Sequence, residues 1–190
     1  SRSEDNMTYT FSLREDVKFH DGSNLTAEDV AFSLERMLKI NQGYSWLWEG
    51  IIDPENCCEV VDDYTVKIKL QEKFAPFVAT LAYFGVVNKD LLMENKKEGK
   101  FGEYGDYGQD YLNNNDAGSG AYEFSEWRRG STLIFTRYED YFKGWPRENP
   151  IDEVRAKLIG SESTLKAQMR AGDLDQVDHW RSTDFYQFVR

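Results

Sequence analysis

The side chains best suited to catalysis or metal binding, cysteine and histidine, are scarce in this chain of 190 residues. There are two of each, and the cysteines, Cys57 and Cys58, are adjacent. Neighbouring cysteines rarely reach disulfide geometry, and no spacing of cysteine and histidine resembles a structural zinc site. Because a free cysteine usually behaves as a small hydrophobic residue, we expect buried thiols, with no metal site and no cofactor.

His20 lies in the segment Phe19-His20-Asp21-Gly22. A histidine can serve as a base or a ligand, but no second histidine is near it in sequence. Asp21 can hydrogen-bond its own backbone, and Gly22 allows a positive φ angle. We therefore predict a strand end followed by a turn, with a structural role for His20.

Two groups of acidic residues suggest an enzymatic alternative. Asp62 and Asp63 are adjacent, and Glu49, Asp53 and Glu55 form a second group. Glycosidases use two carboxylates that flank the scissile bond, so an aromatic-rich carbohydrate hydrolase remains an alternative function. Acidic residues in loops are usually only solvated, and we favour a protein that is not an enzyme and has no catalytic residues.

The motif Gly118-Ser119-Gly120 raises the question of phosphate binding. It lacks the Lys-Ser/Thr pair of a P-loop, and it lacks the third glycine and the helix of a dinucleotide-binding fingerprint. We interpret it as the start of a strand.

Three large aromatic residues, Tyr44, Trp46 and Trp48, lie in a turn-rich segment. Such residues in a loop often present a flat apolar face with a polar edge. They could line a ligand cleft or pack into the core, and they are our candidate ligand-binding residues. A second aromatic group is assigned to the core: Trp127, Tyr138, Tyr141 and Trp145.

Residues 8–38 show the clearest pattern of secondary structure. Tyr9 and Phe11 alternate with polar residues, as in a half-buried strand, and Val17 and Phe19 predict a second strand. Thr26 is placed to cap a helix, which has acidic residues in its first turn. The apolar stripe of this helix recurs at spacings of three and four, and it comprises Ala27, Val30, Ala31, Leu34 and Leu38.

The remaining chain combines predicted strands with short helices. The predicted strands span 64–70, 122–127, 132–137, 151–159 and 173–177. Short helices are expected after Pro76, through Leu91 and Met93, and between Ser161 and Gly172. Residues 95–118 are rich in glycine and asparagine, which predicts a long surface connection that marks a boundary between substructures.

Composition excludes several classes of protein. With 40% hydrophobic residues the chain can form a substantial core. Its formal net charge of −11 disfavours nucleic acid as a partner. No apolar run approaches the roughly 20 residues that span a bilayer, and residues 1–15 lack the apolar region of a signal peptide. We expect a soluble chain whose localisation needs other evidence.

Several segments, taken in order, resemble the extracellular solute-binding proteins of family 5, the oligopeptide- and dipeptide-binding type. They are YTFSLREDVKFHDGSNLTAEDVAFSLERML (residues 9–38), VVDDYTVKIKL (60–70) with FAPFVATLA (74–82), and GSGAYEFSEWRRGSTLIFTRYEDYFKGWP (118–146) with AQMRAGDLDQVD (167–178). This chain departs from the usual family pattern at four positions: Ser119, Ala121, Arg137 and Phe142. The Gly120-Ala121-Tyr122 version is similar to that of oligopeptide binders.

The resemblance implies a mixed α/β (α+β) fold, part of a type II periplasmic-binding-protein-like architecture with a mixed sheet and flanking helices. It implies that residues 1–117 form a small subdomain of the first lobe. Residues 118–190 would form part of the main sheet of that lobe, and the second lobe would be absent, so that the chain is expected to be a fragment.

The resemblance also implies a function. Family members are the substrate-binding components of ABC importers, and they capture peptides or similar small solutes in the periplasm or at the outer face of the cytoplasmic membrane, in some cases held by a lipid anchor. The expected partners are a small solute and the ABC permease subunits, and the expected state is a monomer. The family also binds nickel complexes, oligosaccharides and opines. A ligand-sensing domain of a regulator is a further alternative.

Overall fold

Two three-stranded antiparallel sheets organise residues 1–177, the part of the chain that the structure, a computed structural model, describes. The first sheet has the order β1-β3-β2 and the second β4-β5-β6. The strands of the first are β1 (Thr8–Ser12), β2 (Cys58–Asp62) and β3 (Thr65–Lys69). Those of the second are β4 (Tyr122–Arg128), β5 (Thr132–Arg137) and β6 (Glu153–Lys157).

Five α-helices and three short 3-10 helices connect these strands within the described residues. The α-helices are α1 (Ala27–Ile40), α2 (Phe77–Thr80), α3 (Lys89–Glu94), α4 (Gln109–Leu112) and α5 (Glu162–Ala171). The 3-10 helices are η1 (Ser45–Trp48), η2 (Leu81–Tyr83) and η3 (Gly102–Tyr104). None of the helices in residues 1–177 is long and apolar enough to cross a lipid bilayer.

Helix α1 begins where the sequence predicts. The Asp29 carboxylate accepts hydrogen bonds from the backbone N–H of Thr26 at 2.8 Å and from its hydroxyl at 2.9 Å. A carboxylate in the first turn also complements the positive end of the helix dipole. The helix ends at Asn41, which adopts the left-handed conformation with φ 54°.

The first sheet packs against α1, as the alternation and the helical stripe predict. Tyr9 of β1, Ile68 of β3 and Leu34 of α1 are buried in one cluster with Phe77 of α2. A second cluster joins Val66 of β3 to the start of the helix. The apolar stripe therefore covers the sheet, and burial of these side chains stabilises the unit.

The strand predicted at Val17 and Phe19 is wrong. Both side chains are buried, but the backbone makes only an isolated bridge between Lys18 and Asn24. The chain pairs across its own turn, because the Phe19 N–H donates to the Ser23 carbonyl at 2.9 Å. Gly22, with φ 87°, makes this turn.

The surface connection predicted for residues 95–118 is wrong in part. Tyr107 is only 1% exposed, and its ring lies 5.7 Å from that of Phe32 on α1 and stacks at 4.8 Å on that of Tyr104. Aromatic residues without a regular spacing thus cover one side of α1. Periodicity does not detect such a cluster, because neither sheet nor helix spaces its members.

The second sheet follows the prediction closely. Strands β4 and β5 are joined at Arg129-Gly130, and Gly130 has φ 71°. Helix α5 is capped by the Ser161 hydroxyl and ends at Gly172, with φ 78°. The strand predicted for 173–177 does not form, and residues 178–190 of the second predicted subdomain lie outside the described residues.

Candidate ligand-binding surface

The segment after α1 turns sharply and gives neighbouring aromatic residues opposite environments. Asn41 and Gly43 both adopt positive φ angles, 54° and 63°. The Ser45 hydroxyl donates to the Asn41 side-chain oxygen at 2.9 Å and fixes the start of η1. Along this single 3-10 turn, Trp46 is 64% exposed and Trp48 is 0% exposed.

Trp48 anchors the turn in the core. Its indole N–H donates to the Thr80 hydroxyl at 2.8 Å, and that hydroxyl donates to the Phe77 carbonyl at 2.6 Å. Its ring meets Phe84 edge-on at 6.3 Å. The polar edge of this tryptophan is therefore satisfied inside the protein, and Trp48 offers a ligand no surface here.

Tyr44, Trp46 and Tyr83 form what we call the aromatic shelf. All three are about half exposed or more, at 48%, 64% and 52%. The Tyr44 and Tyr83 rings lie 4.8 Å apart and are tilted by 39°. Trp46 lies two positions from Tyr44 along the chain. Adjoining exposed aromatic faces, such as those of Tyr44 and Tyr83, are typical of binding surfaces.

A cavity of about 240 Å³ lies beside the shelf, because its lining residues Gly43 and Gly85 are within two positions of Tyr44 and Tyr83. The other lining residues are Ser33, Arg36, Met37, Ile40, Gln42, Val87 and Gln109. Small-molecule sites commonly enclose ~300–1,000 Å³. This cavity is therefore smaller than a typical small-molecule site and has room for one side group.

Arg36 places a cation in the cavity wall. Its Nε donates to the Tyr107 carbonyl at 2.8 Å. Burial lowers the pKa of Arg36, while the charge of Asp106 and the Tyr107 side chain oppose this effect. An arginine keeps its proton in proteins, so the wall presents a fixed positive charge.

The acidic residues that suggested a hydrolase lie in turns or at the surface. The Asp62 carboxylate accepts the Tyr64 N–H at 2.9 Å, and the Asp53 carboxylate accepts the Glu55 N–H at 3.0 Å. Glu55 also pairs with Lys39. These contacts give the carboxylates structural partners.

The cysteines and glycines likewise have structural surroundings. Cys57 is buried, Cys58 is partly buried, and both are free. Within residues 1–177, no group of three or more histidine, cysteine or acidic side chains is placed to hold a metal ion. The Gly118 N–H donates to the Asp116 carboxylate at 2.6 Å, and the motif precedes β4, which begins at Tyr122.

The four aromatic residues assigned to the core differ in how deeply they are buried. Tyr138 is buried, and its hydroxyl donates to the Phe19 carbonyl at 3.0 Å. Tyr141 and Trp145 are partly buried. Trp127 is 39% exposed, and the Arg129 guanidinium lies 3.6 Å from its ring centre, so the core assignment is wrong for Trp127.

Sequence patterns missed two contributors to this surface, Tyr83 and Arg36. Tyr83 lies beyond the short helix α2 and does not share the four-residue spacing of Phe77 and Leu81. Its position outside that apolar spacing indicates an exposed side chain. Arg36 lies outside the apolar stripe of α1. Its contact with the distant Tyr107 backbone has no local signal, because the two residues are 71 positions apart.

The described residues combine a mixed α/β fold with an exposed aromatic surface and a partly buried arginine. Residues 1–189 match "Bacterial extracellular solute-binding proteins, family 5 Middle". The chain belongs to this family.

Several proteins of known name or structure are similar to this chain. The chain is 33% identical to the probable D,D-dipeptide-binding periplasmic protein of Escherichia coli, over 93% of the chain and 32% of the relative. The structure of NikZ from Campylobacter jejuni in complex with Ni(L-His) is 26% identical, with 92% and 32% coverage and a TM-score of 0.73. The oligopeptide-binding protein AppA from Bacillus subtilis, in complex with a nonapeptide, is also 26% identical, with 92% and 32% coverage and a TM-score of 0.67.

The predicted mixed α/β, type II periplasmic-binding-protein-like fold is confirmed. Within residues 1–177 both sheets are antiparallel, so the expected mixed sheet is not seen there. The chain spans about a third of the length of these relatives.

Proposed function

We propose that the intact protein is the substrate-binding component of an ABC importer. It captures peptides or similar small solutes outside the cytoplasmic membrane and delivers them to the permease. The observation that carries this proposal is the family match over residues 1–189. The family consists of extracellular solute-binding proteins, and an ordinary binding cycle requires no covalent chemistry.

The aromatic shelf forms one wall of the solute site. Tyr44 and Trp46 contact the ligand directly, while Trp48 holds their turn in place through its bond to Thr80. Solute-binding proteins trap ligands by closing two lobes around a hinge. The small cavity beside the shelf fits this role, because a single wall encloses only part of a solute.

Peptides are the preferred substrate class. Two of the three similar proteins carry peptide ligands in their names, a D,D-dipeptide and a nonapeptide, and the third is bound to Ni(L-His). A shelf of tyrosine and tryptophan can stack on side chains of varied shape without requiring one sequence. Nickel complexes, oligosaccharides and opines are the competing classes.

The remaining assignments concern organisation and location. Residues 1–117 form a small subdomain of the first lobe, and residues 118–190 contribute to its main sheet. The protein acts as a monomer in the periplasm or at the outer face of the cytoplasmic membrane, where a lipid anchor is one means of retention. Its net charge of −11 argues against a nucleic-acid partner.

Isothermal titration calorimetry on the intact protein tests this function. The panel contains dipeptides, longer peptides, the nickel–histidine complex and oligosaccharides, and each mixture is examined afterwards for breakdown products. We expect one peptide class to bind stoichiometrically and to be recovered unchanged. Turnover of an oligosaccharide, lost when a specific pair of acidic residues is replaced, would instead establish the hydrolase alternative.

A further inference from the structure

We propose that His20 is a pH-sensitive latch between the two sheets of this protein. The imidazolium form holds the segment 116–120, which leads into β4, against the turn that follows β1. The neutral imidazole releases that segment. We call residues 116–120 the latch segment.

The geometry surrounds the ring with oxygen atoms from the latch segment. His20 Nδ1 lies 2.9 Å from Asp116 Oδ2, and Nε2 lies 2.9 Å from the Gly120 carbonyl oxygen. The Tyr138 ring meets the imidazole edge-on at 4.8 Å. The His20 side chain is only 7% exposed, whereas that of its partner Asp116 is 24% exposed.

Both ring nitrogens therefore face acceptors. A neutral imidazole has one N–H, whereas an imidazolium has two. In either neutral tautomer a nitrogen lone pair would lie 2.9 Å from an oxygen atom of Asp116 or Gly120. The contact between Nδ1 and Asp116 is an ion pair only while the ring carries a proton on both nitrogens.

Asp116 is held as an anion by further contacts. Its carboxylate accepts the N–H groups of Gly118 and Phe124, each at 2.6 Å. Burial alone would raise the pKa of Asp116, but His20 and these two amides lower it to about 2. The counter-charge to His20 is therefore present throughout the pH range in which histidine titrates.

The other groups considered near His20 either favour its protonated form or remain uncharged. Burial alone would lower the pKa of His20, but Asp116, the Gly120 carbonyl and the charge of Glu123 outweigh burial and raise it. Burial raises the pKa of Tyr138, which keeps its phenol protonated. Asp21, the next residue in the chain, accepts hydrogen bonds from Ser23 and Asn88.

The latch lies where several contacts join the two sheets. The His20 N–H donates to the Gly118 carbonyl, and the Asn88 N–H donates to the Ala117 carbonyl, both at 2.9 Å. When His20 loses its proton, Asp116 keeps a half-buried charge without a counter-ion. The latch segment then exchanges protein contacts for water, and these backbone bonds open more often.

The direction of the pH dependence follows from the raised pKa of His20. The stabilisation is fully present below the pKa of histidine in the unfolded chain, about 6.5. It is lost as pH rises through the higher pKa of the folded state. The latch is thus closed in mildly acidic solution and opens in alkaline solution.

Amide hydrogen exchange on the ligand-free intact protein tests the latch. The reporters are the amides of His20 and Asn88, and the reference is Lys69, whose N–H bonds to the Cys57 carbonyl in the first sheet. After correction for intrinsic exchange, we expect the protection of both reporters to fall by about tenfold or more between about pH 6 and pH 9, because the open form of the latch segment becomes more populated. Protection of Lys69 should stay constant.

Two variants complete the test. His20→Gln should lower reporter protection at acidic pH and abolish its pH dependence, while His179→Gln, which removes the other histidine, should behave as wild type.

The proposal is wrong if wild-type protection of the reporters follows Lys69 at all pH values, or if His20→Gln keeps the wild-type pH profile. If His20→Gln fails to fold, the wild-type and His179→Gln profiles decide. No ligand is involved, so failure here is distinct from failure of the proposed function.

Discussion

Trp46 and Trp48 are two positions apart, and the structure gives them different tasks. Trp46 exposes 64% of its surface on the aromatic shelf, whereas Trp48 is fully buried and hydrogen-bonded to Thr80. One residue can stack on a solute, and the other supports the turn that presents it. Substitutions at the two positions should therefore change different measured quantities.

Trp46→Ala should weaken ligand binding by about tenfold, which corresponds to about 1.4 kcal/mol, because it removes a stacking face from the shelf. Stability should change by less than about 0.5 kcal/mol, since the side chain is mostly exposed. Calorimetry gives the affinity and urea denaturation gives the stability. Trp127→Ala is the matched control, because Trp127 is also exposed but belongs to β4 and not to the segments that form the shelf. An affinity that stays unchanged in Trp46→Ala would remove the shelf from the binding site.

Trp48→Phe should lower the free energy of unfolding by about 1–3 kcal/mol. The change removes the indole donor to the Thr80 hydroxyl and leaves a space in the core. Urea denaturation of Trp48→Phe, Thr80→Val and the double variant measures the coupling between the two residues. If the two effects were simply additive, the indole–hydroxyl bond would contribute nothing measurable.

At the residue scale, the sequence identified the aromatic segment but not the orientation of its members. Tyr44, Trp46 and Trp48 lie in a turn-rich segment whose local pattern does not tell which side chains face the core, and a 3-10 turn places Trp48 inside. That outcome depends on Thr80, which lies 32 positions away. Ligand contacts of Tyr44 and Trp46 stay a prediction.

At the scale of single elements, the start of α1 depends on one buried carboxylate. Asp29 is 7% exposed, and besides its two bonds to Thr26 it accepts the Lys89 N–H at 2.9 Å. It therefore ties the first turn of α1 to the first turn of α3. A side chain with both roles should be more sensitive to substitution than an ordinary helix cap.

Asp29→Asn should lower the free energy of unfolding by about 1–3 kcal/mol, because the amide replaces one acceptor oxygen by a donor that faces N–H groups. Asp90→Asn, at an exposed acidic position in the first turn of α3, should cost less than about 1 kcal/mol. Thermal denaturation compares the two variants. Equal losses would show that Asp29 acts only through its charge.

Elements that follow a local period were predictable, and elements fixed by distant contacts were not. The alternation around Tyr9 and Ile68 and the stripe around Leu34 gave β1, β3 and α1, because one face of each meets the core. Val17 and Phe19 alternate equally well but pair across their own turn. Tyr107 is buried by packing on α1, which no local pattern indicates.

At the scale of the whole molecule, the junction between the two sheets joins residues far apart in the chain. His20 and Asp116 are 96 positions apart in the sequence. The sequence predicted a structural role for His20 but gave no indication of its partner. The division of the chain into subdomains at residues 117 and 118 stays a prediction.

The loss of folding stability at acidic pH should also depend on this junction. The pKa of Asp116 is lowered to about 2 in the folded protein, so its contribution is present above the unfolded value of about 3.9 and is lost as pH falls towards 2. Asp116→Asn should be less stable than wild type at neutral pH, and the difference should shrink between about pH 4 and pH 2. Urea denaturation over this range measures it. A difference that is constant with pH would show that the charge of Asp116 does not matter.

The central claim is that the intact protein captures a small solute at a site that includes the aromatic shelf. Native mass spectrometry of the protein as it is purified tests this directly, with Trp46→Ala and Trp127→Ala measured beside wild type. We expect wild type and Trp127→Ala to carry a small peptide that is released unchanged on denaturation, and we expect Trp46→Ala to carry markedly less of it. Equal retention of the solute by Trp46→Ala, or co-purification of a carbohydrate cleavage product instead of a peptide, would contradict the account.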